Sequence, residues 1–174
     1  GELQKVVKWL RKEGPVDALC PVPTYDGGTL ATTLLHTAAA NDHLAMVREL
    51  LKRGASVDLP TNFGFTALMN AAHHDRLSIV LVLLQHSAMP DLQDIRGITA
   101  LMRAAEEGRE SCVKALLRAK ANTELLTKDG RTALQRAEAK GQTATAQLIR
   151  QHAAPPQPAA APQPAAAAPA VPPE

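Results

Sequence analysis

A threonine followed two residues later by leucine returns every 33 residues along this chain, at Thr33, Thr66, Thr99 and Thr132, without slippage. The copies read Thr33-Leu34-Leu35-His36, Thr66-Ala67-Leu68-Met69, Thr99-Ala100-Leu101-Met102 and Thr132-Ala133-Leu134-Gln135. A fixed period of that length restricts the chain to a stack of supersecondary units, each exposing an apolar face that only a neighbour can cover. Other landmarks keep step. Small residues follow at Ala38-Ala39, Ala71-Ala72, Ala104-Ala105 and Ala137, then a break at Asp42, Asp75, Gly108 and Gly141. Paired aliphatics come next, at Leu50-Leu51, Leu83-Leu84, Leu116-Leu117 and Leu148-Ile149, and units close on Gly54-Ala55, Ser87-Ala88 or Lys120-Ala121. Each unit therefore holds two helices of about eight to ten residues, too short to persist alone in water. The alanines allow close approach, and the leucines, Leu83 and Leu116 among them, are expected between stacked units.

This succession resembles the ankyrin repeat, whose units open on Thr-Pro-Leu-His, run through a two-alanine helix and a glycine break, and close on a leucine-rich second helix. The resemblance spans residues 1–152 and implies an all-α solenoid of stacked helix-turn-helix units joined by β-hairpin-like turns. The chain departs from the pattern in places. The motif proline is replaced by Leu34, Ala67, Ala100 and Ala133, and Pro90 stands where the preceding unit has Val57. Ser87 and Lys120 occupy the place of Gly54, where a left-handed turn costs a non-glycine residue about 1 kcal/mol. His36 holds the last motif position, where the imidazole is expected to tie the turn together.

The ends of the array are legible too. Leu3, Val6, Val7 and Leu10 trace an amphipathic helix, so residues 1–17 read as a half-repeat lacking its first helix, as in a fragment of a longer protein or, alternatively, a cap. A surplus of seven residues over the period falls in 18–28, whose prolines and paired glycines predict a long loop. Repeats follow at about 29–61, 62–94, 95–127 and 128–152. The last second helix, Gln142-Thr143-Ala144-Thr145-Ala146-Gln147, is polar, as a terminal repeat must be to keep an array soluble. Residues 153–174, almost wholly Ala, Pro and Gln, predict a disordered spacer that adds nothing to the fold.

Chemistry is hard to find. Net charge is +2, from 19 basic and 17 acidic residues, so no strong field draws the chain to nucleic acid or anionic lipid. No apolar run is long enough to span a membrane. Two separated cysteines, Cys20 in the loop and Cys112 on an apolar helix side, fit a reducing compartment, and we expect an intracellular, cytoplasmic monomer with the nucleus left open. His73-His74-Asp75 looks like a metal cluster, but adjacent helical residues point about 100° apart and no histidine lies one turn away. No catalytic signature is present, so neither enzyme activity nor a cofactor or metal is expected.

The resemblance implies binding of a protein partner through the hairpin tips and the concave face made by the first helices. The tips fall at 61–65, 94–98 and 127–131. Aromatic residues are scarce, yet Phe63 and Phe65 lie in one tip, Ile95, Arg96 and Ile98 in the next, and Lys128, Asp129 and Arg131 in the last. Aromatic residues and arginine dominate binding hot spots, so this strip is the expected contact. Asn70, His73, His74, Arg103, Glu106 and Glu107 are the first-helix positions expected to share the groove. The chain reads as an interaction module, scaffold or adaptor for an unidentified protein. The alternative is a regulatory segment of a larger multidomain enzyme or channel.

Overall fold

A computed structural model of the chain describes residues 15–23 and 29–153. The helix expected over 2–13, the loop segment 24–28 and the chain after 153 lie outside the described residues. Within them run two strands, β1 (Cys20–Pro23) and β2 (Thr29–Thr32), and four helix pairs. The pairs are α1 (Leu34–Ala40) with α2 (Leu44–Lys52), α3 (Ala67–His73) with α4 (Leu77–Gln85), α5 (Ala100–Glu106) with α6 (Glu110–Arg118), and α7 (Ala133–Ala139) with α8 (Thr143–Ala153). First helices pack in one row, α1 on α3 on α5 on α7, and second helices in another, α2 on α4 on α6 on α8.

The recurring threonine sets where each first helix starts. Thr66, Thr99 and Thr132 are extended N-caps whose hydroxyls accept the backbone N–H groups of Met69, Met102 and Gln135 at 3.2–3.3 Å. Each first helix stops after seven residues because Asp42, Asp75, Gly108 and Gly141 turn left-handed, with φ between 58° and 71°. Ser87 and Lys120 also take positive φ, as Gly54 does, so the sequence departure there did not change the turn.

Between the rows lies one core. Leu68, Leu101, Ile79, Val80, Leu83, Val113 and Leu116 are fully buried, and Ala71, Ala72, Ala104 and Ala105 let the first helices meet closely. Each such leucine or isoleucine stabilises the stack by roughly 1.5–3 kcal/mol relative to exposure. Cys112 is buried here, with its thiol pushed up to about 12 by burial and by Asp75, so it behaves as a small hydrophobe. In the last unit it is Ile149 that is buried, at the site of Leu116, while Leu148 is only half-buried. The aliphatic pair read from sequence as Leu148-Ile149 is therefore shifted by one residue from its true register.

Polar bonds repeat with the same period. The Asp58 carboxylate accepts the Met89 N–H at 3.1 Å, and Asp91 accepts the Asn122 N–H at 2.8 Å. Asp17 does the same for Ser56. On another edge, Arg76 Nε donates to the carbonyl of Ala40 and Arg109 Nε to that of His73, both at 3.3 Å, satisfying the orphan carbonyls that end α1 and α3.

The segment 18–28, expected to be a loop throughout, contributes β1 to an antiparallel pair with β2 in which Pro21 faces Ala31 and Pro23 faces Thr29. Cys20 is thus an exposed strand residue, not a loop residue. The outer edge of β2 is taken by one side chain: Asn62 Oδ1 accepts the Ala31 N–H at 3.0 Å and Asn62 Nδ2 donates to the Thr29 carbonyl at 2.8 Å. Ala31 and Thr29 therefore point away from β1, and their partners Pro21 and Pro23 point away from β2. Lacking N–H groups there, the outer edge of β1 offers no donors at those positions and resists a further strand.

Candidate functional site

Three hairpin tips stand in a row. In each, a residue at the base bonds to the residue four places on: Thr61 N–H donates to Phe65 O, Asp94 N–H to Ile98 O and Thr127 N–H to Arg131 O, at 2.9–3.0 Å. Gly64, Gly97 and Gly130 turn the tips with φ between 74° and 79°. Neighbouring tips then join through the main chain, Ile95 N–H to Phe63 O at 3.1 Å and Lys128 N–H to Arg96 O at 2.9 Å. The approach is tight: a Cβ on Gly64 would sit 2.9 Å from Asp94 Cα, and one on Gly97 3.0 Å from Thr127 Cα. Gly130, with no tip beyond it among the described residues, would meet nothing within 4 Å.

Side chains secure each tip from within. Thr61 Oγ1 accepts the Phe65 N–H and Thr127 Oγ1 the Arg131 N–H, both at 3.0 Å. Asp94 takes that role in the middle tip. Its fully buried carboxylate accepts the Arg96 and Ile98 N–H groups through Oδ1, at 2.8 and 2.9 Å, and Arg103 through Oδ2 at 2.7 Å. The Arg103 guanidinium also lies 4.6 Å from the centre of the Phe65 ring, a cation–π contact, and burial pulls its pKa below the ordinary value against the opposing pull of Asp94. Phe65 packs in turn on Phe63, with ring centres 6.2 Å apart, and on the core.

At the first tip, His36 makes the tie expected of it. The Thr33 N–H donates to His36 Nδ1 at 3.3 Å, so the proton sits on Nε2, which donates to the Phe65 carbonyl at 2.9 Å. Burial lowers the His36 pKa below 6.5, against the hydrogen bond to Phe65 that raises it.

The sequence-derived contact residues divide into two groups. Ile98 is a correction: at 2% exposure it belongs to the core, because it sits where the tip chain turns inward to start α5. Arg103 is committed to Asp94 and Phe65, with 16% of its side chain exposed, and so acts as an internal strut. Glu106 accepts from Arg136 and lies 3.5 Å from Lys140. Burial pushes its carboxyl up, but those cations outweigh it and hold it below the usual range. Glu107 lies 3.8 Å from His73 and 4.0 Å from Arg109, and Asp129 lies 3.2 Å from Arg131. Phe63, Phe65 and Asn70 are half-buried; His74, Ile95, Arg96, Lys128, Asp129 and Arg131 are exposed.

Sequence reasoning passed over three residues. Asp94 falls within a tip read from the sequence, but neither it nor Arg136 stood out as the partner that organises Arg103 or Glu106. Asn62, the clamp on β2, carried no signal beyond its place in a tip. Among the described residues, Arg136 Nε is the one buried side-chain donor without a hydrogen-bond partner.

One groove between second helices is lined by Leu77, Leu81, Ser111, Lys114, Ala115 and Arg118. It brings together no facing acid and base. Among the described residues no three His, Cys, Asp or Glu side chains converge in a metal-binding geometry, and no helix is long and apolar enough to cross a membrane.

A family model for ankyrin repeats, in three copies, matches residues 1–94 and 86–158. No curated protein matches the chain significantly.

Proposed function

The chain belongs to the ankyrin-repeat family, and from that premise we propose that it works as a scaffold or adaptor, holding one partner protein along the row of hairpin tips. Ankyrin repeats are in general protein-interaction modules. The observation that carries this reading is the tip row itself. Its tips are bonded to one another through the main chain, yet Ile95 keeps 51% of its surface in water, flanked by half-buried Phe63 and exposed Arg96 and Lys128. An apolar side chain held outward on a rigid backbone binds without a large ordering cost. Arg103 stands behind the row as its support, Glu106 and Glu107 are paired along the first helices, and the exposed His74 extends the surface there.

The test is affinity capture with the full chain and with Ile95→Asp, followed by titration of the captured protein against both. A partner that uses this row should lose about 2 kcal/mol or more on the variant, while the far-ultraviolet circular dichroism stays helical. A captured protein that binds both equally well would remove the tip row from consideration.

A further inference from the structure

We infer that the partner presents an acidic segment bearing an aliphatic residue, and that Arg96 and Lys128, on adjacent tips to one side of Ile95, receive its carboxylates; this rests on the tip-row reading above. The carboxylates on this side of the array are already engaged. Asp94 is buried and held by Arg103 at 2.7 Å, and Glu106 is held by Arg136 with Lys140 3.5 Å away. Glu107 lies between His73 and Arg109, at 3.8 and 4.0 Å. Asp129 faces Arg131 at 3.2 Å and accepts the Thr127 hydroxyl at 2.5 Å.

The cations are less fully engaged. The carboxylate nearest Arg96 is Asp94 at 3.9 Å, through the same oxygen that already accepts the shorter Arg103 bond, and 62% of the Arg96 side chain is exposed. Lys128 is exposed and makes no ion pair among the described residues. These two cations stand on adjacent tips joined at 2.9 Å, with exposed Ile95 directly beside Arg96. A chain of almost balanced charge thus shows a local positive surplus beside an exposed apolar side chain. The complementary ligand carries negative charge beside an apolar side chain, since carboxylates opposite Arg96 and Lys128 gain attraction while lysines or arginines are repelled. The contact is at the rim of the array, so it weakens as salt screens it.

The experiment is a selection from a random displayed peptide library on the full chain, with the enriched peptides then titrated against wild type, Ile95→Asp and the double variant Arg96→Glu/Lys128→Glu. Both cations are exposed, so circular dichroism should not change. The expected result is enrichment of acidic peptides containing an aliphatic residue, weakened about tenfold by the double charge reversal and further weakened by added sodium chloride. Peptides lost on Ile95→Asp but neutral or basic, or indifferent to the charge reversal, overturn the acidic partner while leaving the tip-row reading standing. Peptides indifferent to all three tip substitutions overturn both, and a selection that enriches no sequence overturns the inference.

Discussion

The third helix pair and the fourth have the same architecture and different surroundings. In α5, Leu101 and Met102 are buried, covered by α3 on one side and α7 on the other. At the same places in α7 stand half-buried Leu134 and exposed Gln135. Val113 of α6 becomes Ala146 in α8, and Asp94 at the base of the tip becomes Thr127. No further unit covers the fourth pair among the described residues, and its side chains have changed accordingly. Identical backbone with a missing neighbour shows which features belong to the unit and which to the stack. N-cap threonines and left-handed breaks persist in both, so they are properties of the unit. Large apolar side chains are a property of the stack; the residue at the tip base is not, since Thr61 of a covered tip matches Thr127.

The comparison can be broken most sharply in the core. Leu101→Ala should lower stability by about 2–5 kcal/mol, whereas Leu134→Ala, 33 residues on and half-buried, should cost under about 2 kcal/mol. Urea denaturation read by circular dichroism measures both, and Leu101→Ala is expected to separate part of the array into its own transition. Equal losses would mean that the fourth pair is as fully covered as the third.

The tips give the next effect. Asp94→Ala leaves Arg103 without its partner and two tip N–H groups without an acceptor, and should cost about 3 kcal/mol. Thr127→Ala removes one acceptor and should cost about 1 kcal/mol. Thermal melts of the two variants, normalised to wild type, test the ratio. Similarly, Gly97→Ala meets the next tip as well as an unfavourable φ, while Gly130→Ala meets only the latter, at about 1 kcal/mol. If Gly97→Ala is no worse than Gly130→Ala, the tips are not packed on one another in solution.

The smallest effect sharpens the contrast at the other end. His36 stands where the next unit has Met69. Its folded pKa lies below the ordinary 6.5 because burial disfavours the imidazolium. The neutral ring therefore supports folding above that value, and the support is lost as pH falls through 6.5 toward the folded pKa. His36→Met should flatten this acid loss of melting temperature. Part of the slope should survive, since burial and nearby His73, Arg76 and Arg109 lower His74 as well.

Period and helix starts were legible in the sequence because each depends on a side chain's own chemistry: a threonine that caps, a glycine or aspartate that turns left-handed, an alanine that permits contact. The tips were legible as places. What several key residues do was not, because that depends on a neighbour 29 to 33 residues away: His36 on Phe65, Asn62 on β2, Arg136 on Glu106. Ile98 was misjudged for a related reason. An isoleucine beside a turn glycine reads as a tip residue, and only the path of the chain into α5 takes it inside. The strand β1 hidden in 18–28 was obscured by Pro21 and Pro23, which argue against a strand unless it is known to be an edge.

The carboxylate bonds of Asp58 and Asp91 run in one direction only, from the side chain of one unit to the main chain of the next. The donating residues, Met89 and Asn122, have nothing in common, because only their amide N–H is used. Such a joint demands no matched pair of side chains across a boundary, so a duplicated or transplanted unit arrives already compatible with whatever follows it. Arrays of this type can lengthen or shorten by whole units at the level of the gene, leaving selection free to work on the outward residues of the tips.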